Sequence, residues 1–243
     1  MENYTKDRSF YPTGLIPPDF IFYIDGKKYP VHRVVVGSLC ERLNRDFQKD
    51  PNFSSFTFHS LKDPNNYFEL ISNMFFGDKL TINKQNAPFL NEIASILECE
   101  PLKQKTREFI DQPTPENAIE VMKIYGESNI DNPECAEILA SDFDTYCQKP
   151  EFLKLPVYAF EQIFSVESFK ISEDKLFDFI EKLIQENSKS YSSLLSLIHT
   201  EKIDQERAKK FVEYVSYDNV SVWIIKEMLY RINPEPGISG PSN

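Results

Sequence analysis

The stretch D-F-I-F-Y-I-D-G-K-K-Y-P-V-H-R-V-V-V-G-S-L-C, residues 19–40, decides the fold. Its first residues alternate as in a strand that presents one apolar face. That face carries Phe20, Phe22 and Ile24. The dipeptide Asp25-Gly26 is favoured in tight hairpin turns, and a second short strand follows it, limited by Pro30. The sequence therefore predicts a hairpin over about residues 20–31.

The second half of this stretch, residues 32–40, is ambiguous between a strand and a helix. Three consecutive valines favour a strand, because β-branched side chains suit a pleated sheet. The polar flanks and the following E-R-L-N-R-D-F favour helices instead. The sequence leaves both alternatives open.

From residue 41 to residue 110 the apolar pattern changes period several times, which indicates a mixed α and β region. The strand expected there has Phe56 and Phe58 inward, and Gly77 suits the left-handed end of a helix. In order, we predict a loop at 48–55, a strand at 56–61, a helix from Asp63 to Gly77, an extended piece at 80–82, and helices at 89–97 and 101–110.

The segment 111–115, D-Q-P-T-P, is the best candidate for a domain boundary. The net charge changes there, from −1 over residues 1–111 to −10 over residues 112–243. Thr114 can cap a helix whose first residue is Pro115. Everything beyond has helical periodicity and no strand pattern. Helices are predicted around 119–125, 135–139, 152–164, 172–184, 194–198, 208–215 and 220–228.

The composition is that of a globular protein and excludes several functions. The 243 residues carry a net charge of −11, with 41% hydrophobic and 27% charged residues. Because phosphates need a basic face, the acidic second half argues against nucleic acid and against an anionic membrane surface. The seven glycines form no phosphate-binding loop and no Gly-x-Ser-x-Gly motif. We expect no cofactor, no metal, no membrane contact and no small-molecule substrate.

The cysteines and histidines give little support to catalysis. Four widely spaced cysteines, without a C-x-x-C motif, are expected to be free thiols in a reducing compartment. No signal peptide or membrane span is visible, which predicts a cytosolic or nuclear protein. If residues 32–40 are helical, His32 and Cys40 lie roughly 12 Å apart along the axis, beyond hydrogen-bond reach. A small cysteine enzyme is therefore the weakest alternative.

The first 110 residues resemble a BTB/POZ domain. The similarity lies in residues 19–40, in Y-F-E-L-I-S-N-M-F-F-G-D-K-L-T-I at 67–82, and in the closing helical pair at 89–110. The helical second half is similar to a BACK domain, in F-L-K-L-P, F-E-Q-I-F and I-S-E-D-K-L-F-D-F-I. The resemblance implies an α+β domain with a short sheet and helices, followed by an all-α domain.

These patterns divide the chain into four parts. We predict an irregular segment at 1–18, a BTB/POZ-like domain at 19–111, a BACK-like helical domain at 114–232 and a disordered tail at 233–243. The resemblance implies a non-enzymatic adaptor that binds other proteins, including itself or a cullin-type ubiquitin ligase. The alternative is the N-terminal interaction portion of an ankyrin- or kelch-type architecture without a ligase link.

Two positions depart from the family pattern. Only 18 residues precede Asp19, and Pro12, Gly14, Pro17 and Pro18 among them argue against the N-terminal helix that many BTB homodimers exchange. Cullin-binding members carry an apolar-x-Glu motif in the loop before a later strand. Here that loop reads N-F-S-S-F, with Ser55 where the glutamate is expected.

The resemblance also assigns candidate site residues. Asp19 and Arg33 align with a charged pair that family members bury, and such a pair would fix the strand and helix orientation. Aromatic side chains in and near loops are candidate anchors for a partner protein, although core packing is the alternative for each of them. These candidates are Phe47, Phe53, Phe56, Phe75 and Phe76.

Overall fold

The computed structural model describes residues 16–214. The predictions for residues 1–15, for the helix around 220–228 and for the tail at 233–243 therefore lie outside the described residues. The chain divides into two compact units, Met1–Cys135 and Ala136–Asn243.

The first unit contains a three-stranded sheet built on the predicted hairpin. Strands β1 (Phe20–Ile24), β2 (Lys27–Val31) and β3 (Ser55–Phe58) lie in the order β2-β1-β3. β1 pairs with β2 antiparallel and with β3 parallel. Asp25 and Gly26 have φ angles of 48° and 76°, as a tight hairpin turn requires. The hairpin prediction is confirmed.

The ambiguous stretch at residues 32–40 is a helix. Helix α1 (Arg33–Leu39) is followed at once by α2 (Glu41–Lys49), with Cys40 in an extended conformation between them. Val35 and Val36 are buried, whereas Val34 is 79% exposed. The intrinsic preference of valine for strands is overridden here, because two adjacent helical positions reach the core of the unit.

Four more helices complete the first unit. They are α3 (Tyr67–Phe75), α4 (Ala87–Ile96), α5 (Glu100–Arg107) and α6 (Ala118–Glu127). Gly77 has a φ of 92°, which confirms the predicted left-handed position after α3. The predicted loop at 48–55 shortens to residues 50–54, because α2 and β3 extend into it. Residues 80–82 lie outside any helix or strand.

The start of α6 corrects the prediction that Pro115 is its first residue. The helix begins at Ala118 instead. Residues 115–117 form a turn in which the Thr114 carbonyl accepts hydrogen bonds from the N–H groups of Asn117 and Ala118, at 3.2 and 2.9 Å. The Asn117 side chain returns a bond by accepting the Thr114 N–H at 2.7 Å. This closed turn supplies the polar partners that direct capping by Thr114 would have supplied.

The division between the units lies beyond the 111–115 segment. Ile130 belongs to the buried core of the first unit, and Tyr125 packs against that core. The Lys62 N–H donates to the Ser128 carbonyl at 3.1 Å. These contacts join α6 and the residues after it to the first unit. A domain boundary at 111–114 stays a prediction.

The second unit is helical throughout its described part. Helix α7 (Pro133–Ser141) contains the division point, and α8 (Phe143–Tyr146), α9 (Val157–Phe164), α10 (Glu173–Glu186) and α11 (Gln205–Tyr214) follow. Short 3-10 segments lie at Phe152–Lys154, Lys189–Leu197 and Thr200–Lys202. Between residues 114 and 214 the chain forms no strand, as predicted. The Ser172 side chain accepts the Lys175 N–H, as expected of a cap on α10.

A buried carboxylate begins α3 and gives the first testable prediction. Asp63 has no exposed surface, and its oxygens accept the N–H groups of Tyr67 at 2.7 Å and Phe68 at 3.0 Å. Asp63→Ala leaves two N–H groups unpaired near the core, so we expect a loss of about 1–3 kcal/mol in the free energy of unfolding. Urea denaturation measures the loss.

Asp63→Asn is the matched variant, because the asparagine side chain keeps one acceptor oxygen. Burial is the main influence on the Asp63 carboxyl and raises its pKa, so removing the charge does not by itself weaken the fold. We expect the asparagine variant to lose less stability than the alanine variant. Equal losses would contradict the role of the two accepted hydrogen bonds.

Candidate functional site

Asp19 and Arg33 are joined in the structure, although not through their charges. The Arg33 main-chain N–H, at the start of α1, donates to Asp19 Oδ1 at 2.7 Å. Asp19 is exposed, so the expectation of a buried charged pair is corrected. The carboxylate supplies an acceptor for one of the unpaired N–H groups at the helix start.

The Arg33 guanidinium holds the end of α2 and the loop after it. Nη1 donates to the Pro51 carbonyl at 2.5 Å, and Nη2 donates to the carbonyls of Phe47 at 3.1 Å and Asp50 at 3.3 Å. The guanidinium carbon also lies 4.3 Å from the centroid of the Phe47 ring. A fixed cation at the carbonyl end of a helix is favourable. Arg33 therefore fixes the position of residues 50–54, which lead into β3.

The five candidate aromatic residues do not share one environment. Phe75 is 2% exposed and stacks on Phe22, with ring centroids 6.0 Å apart. This corrects its assignment as a partner contact, because no side-chain surface is left for a partner. Phe76 is half-buried and meets the His32 ring edge-on at 5.5 Å. Phe47, Phe53 and Phe56 are half-buried and pack against the core.

An open groove of about 510 Å³ lies between α2 and β3. Its apolar lining comes from Phe53 and Phe56, and the Arg42 guanidinium lies 4.9 Å from the Phe56 ring centroid. Charged residues of α2 form its rim, including Lys49 and Asp46. β3 is an outer strand of the sheet, so this groove runs along a sheet edge. We call these residues the α2–β3 groove.

The described residues offer no site for a metal or a membrane. Among residues 16–214, no group of three or more His, Cys, Asp or Glu side chains is placed to bind a metal ion. Over the same range, no helix combines the length and apolarity that crossing a bilayer requires.

Residues 15–114 match the family model of the BTB/POZ domain. These residues are a BTB/POZ domain. The matched range ends before α6, whereas the compact unit continues through that helix. The BTB fold is a protein-interaction fold that also mediates self-association, so the domain supports an adaptor role.

Two solved structures are similar to this chain. The BTB domain of zebrafish PATZ1 is 18% identical, with a TM-score of 0.32, and the match covers 37% of this chain and 73% of that one. The BTB domain of human Gigaxonin is 16% identical, with a TM-score of 0.33, and the match covers 38% of this chain and 76% of that one.

The structure also brings together two cysteines of the BTB domain that the sequence places far apart. Cys40 and Cys99 are both buried, and the Cys40 thiol donates a hydrogen bond to the Cys99 sulfur. That bond lowers the pKa of Cys99 to about 7 and raises the pKa of Cys40, which burial raises further. Sequence spacing carries no signal for this pair, because three helices and a strand separate the two residues.

The contact between Asp19 and Arg33 gives the second testable prediction. Asp19→Ala removes the acceptor at the start of α1, and we expect it to lower the free energy of unfolding by about 1 kcal/mol. Asp19→Asn keeps an acceptor oxygen, so its loss is expected to be a few tenths of that. Thermal unfolding of the two variants beside the unchanged chain makes the comparison. An asparagine variant as unstable as the alanine variant would show that the charge matters after all.

Proposed function

We propose that this chain is a non-enzymatic adaptor that binds a partner protein at the α2–β3 groove of its BTB domain. The observation that supports this most directly is the composition of the groove. Aromatic lining, a charged rim and an open sheet edge occur together, and interfaces combine these features. An extended segment of a partner can pair with an outer strand while its side chains contact Phe53 and Phe56.

The finer proposal is that the partner is a cullin-type ubiquitin ligase, which makes the chain a substrate adaptor. Phe53 lies in the loop where cullin-binding relatives carry their apolar residue, and Arg33 holds the preceding part of that loop through Pro51. Ser55 stands where those relatives carry a glutamate. Binding then depends on Phe53 and the shape of the groove rather than on a carboxylate.

The helical region is proposed to be BACK-like and to supply the second half of the adaptor. Its described helices, α7 to α11, agree with an all-α domain, and a cytosolic or nuclear location suits the free thiols. The acidic composition of residues 112–243 keeps this part soluble.

Affinity capture with the full chain tests the proposed groove. Thr57 lies exposed on β3, so Thr57→Arg fills the groove without disturbing the core. Thr145→Arg is the matched control, because it makes the same change at an exposed threonine of α8. We expect the unchanged chain and the control to retain the same proteins, and Thr57→Arg to lose them at an unchanged melting temperature.

Mass spectrometry of the retained proteins separates the two levels of the proposal. A cullin that is lost with Thr57→Arg supports the ligase adaptor. Other proteins that are lost with the same variant support the adaptor but contradict the cullin version. Retention of every partner by Thr57→Arg would contradict binding at the groove.

A second candidate function is self-association through α1. Val34 is 79% exposed on this helix, and a valine exposed to that extent suits a contact with a second copy. Light scattering during gel filtration gives the mass in solution. We expect a dimer that Val34→Asp converts to a monomer, whereas the isosteric Val34→Thr stays closer to the original mass. A monomeric unchanged chain would exclude this candidate.

A further inference from the structure

Cys40 and Cys99 occupy equivalent positions at two neighbouring helix starts. Cys40 directly precedes α2, and Cys99 directly precedes α5. The main chain joins the two segments, since the Glu41 N–H donates to the Glu98 carbonyl at 3.3 Å. This bond lies between the residues next to the two cysteines, and it holds the two cysteine backbones side by side.

Side chains reinforce the same junction. Arg45 forms an ion pair with Glu98 at 2.6 Å. Arg42 Nη1 donates to the Ile96 carbonyl at 3.1 Å. The thiols of Cys40 and Cys99 are thus in contact within a junction that three independent interactions hold together, so joining the sulfurs needs no rearrangement of the helices.

We propose that Cys40 and Cys99 form a peroxide-sensitive thiol pair that closes to a disulfide within the BTB domain. This inference does not rest on the adaptor function, because it depends only on the chemistry of the two sulfurs. The substrate class is a small hydroperoxide.

The surroundings assign different roles to the two sulfurs. The Leu102 main-chain N–H and the Cys40 thiol both donate toward the Cys99 sulfur. Donors at the positive end of a helix stabilise a thiolate, and the thiolate is the nucleophile. Cys99 is therefore the attacking residue, and Cys40 is the resolving residue.

The reaction balances in two steps. The Cys99 thiolate attacks one oxygen of hydrogen peroxide, an S–O bond forms as the O–O bond breaks, and hydroxide leaves. The Cys40 sulfur then attacks the Cys99 sulfenic acid, the S–S bond forms as the S–O bond breaks, and the thiol proton leaves with the departing hydroxyl as water. Two thiols and one peroxide yield one disulfide and two waters, and each peroxide takes up two electrons.

Peptide mapping of the folded, full chain after treatment with hydrogen peroxide tests the proposal. Trypsin cuts after Arg33, Arg42, Lys84 and Lys103, so Cys40 and Cys99 lie on separate peptides, 34–42 and 85–103. Remaining thiols are alkylated before digestion under non-reducing conditions. We expect the linked pair of peptides to appear and to separate again after treatment with dithiothreitol.

Exposure alone predicts a different order of oxidation, which sharpens the test. Cys147 is half-buried, whereas Cys99 is only 4% exposed. Oxidation of Cys147 alone, or a linked pair that forms only in urea, would overturn the proposal. Cys147→Ser is the matched control and is expected to give the same linked peptides as the unchanged chain.

The single variants test the two roles. In Cys40→Ser, peroxide is expected to leave Cys99 as a sulfenic acid that dimedone traps on peptide 85–103, because no resolving thiol is present. In Cys99→Ser, peptide 34–42 is expected to stay unlabelled. Dimedone on Cys40 instead of Cys99 would overturn the assignment. The mapping of the unchanged chain decides the proposal even if a variant fails to fold.

Discussion

Phe22→Ala is expected to lower the free energy of unfolding of the BTB domain by about 3–5 kcal/mol. Phe22 has no exposed surface and lies on the central strand of the sheet. Five other rings meet its ring at centroid distances between 5.2 and 6.4 Å. They belong to Phe20, Phe56, Phe58, Phe68 and Phe75. Alanine leaves a cavity that these rigid rings can fill only in part.

Native-state hydrogen exchange measures this loss within the domain, because the chain contains two compact units and a single unfolding transition is not assured. The free energy of opening is read from amides of β1 and its neighbours. Phe109→Ala is the matched control, since Phe109 is 38% exposed and its truncation is expected to change stability by under about 1 kcal/mol. A loss below about 1 kcal/mol for Phe22→Ala would contradict the packing.

Local signals in the sequence predicted much of the fold. The hairpin was predictable because Asp25-Gly26 supplies the positive φ angles between two short alternating strands. The helices α3 and α10 were predictable because apolar periodicity and end residues agree. Residues 32–40 were not, since the preference of valine for strands and the burial of Val35 and Val36 in a helix conflict, and packing decides.

The candidate site was less predictable because it depends on contacts between distant residues. The alignment of Asp19 with Arg33 located a real contact, although the sequence could not show that the main-chain N–H makes it. The guanidinium of Arg33 instead reaches carbonyl oxygens near Pro51, and carbonyls leave no trace in residue identity. Phe75 and Phe76 are adjacent in sequence, and only the helix rotation determines which of them is buried.

The second large effect is expected in the helical unit. Phe160→Ala should lower the free energy of unfolding of this unit by about 3–5 kcal/mol. Phe160 has no exposed surface, and its ring lies within 5.4–6.1 Å of the rings of Phe152, Phe179 and Tyr191. It thereby joins α9 to α10 and to both of the neighbouring 3-10 segments.

Hydrogen exchange in residues 136–214 measures this loss, and Phe160→Leu gives a graded control. Leucine keeps most of the apolar volume but loses the edge-to-face contacts, so a loss of about 1–2 kcal/mol is expected. The order alanine, then leucine, then the unchanged chain follows from packing volume. If both variants lost the same free energy, the aromatic geometry rather than the filled volume would stabilise the core, because only the ring contacts are absent from both.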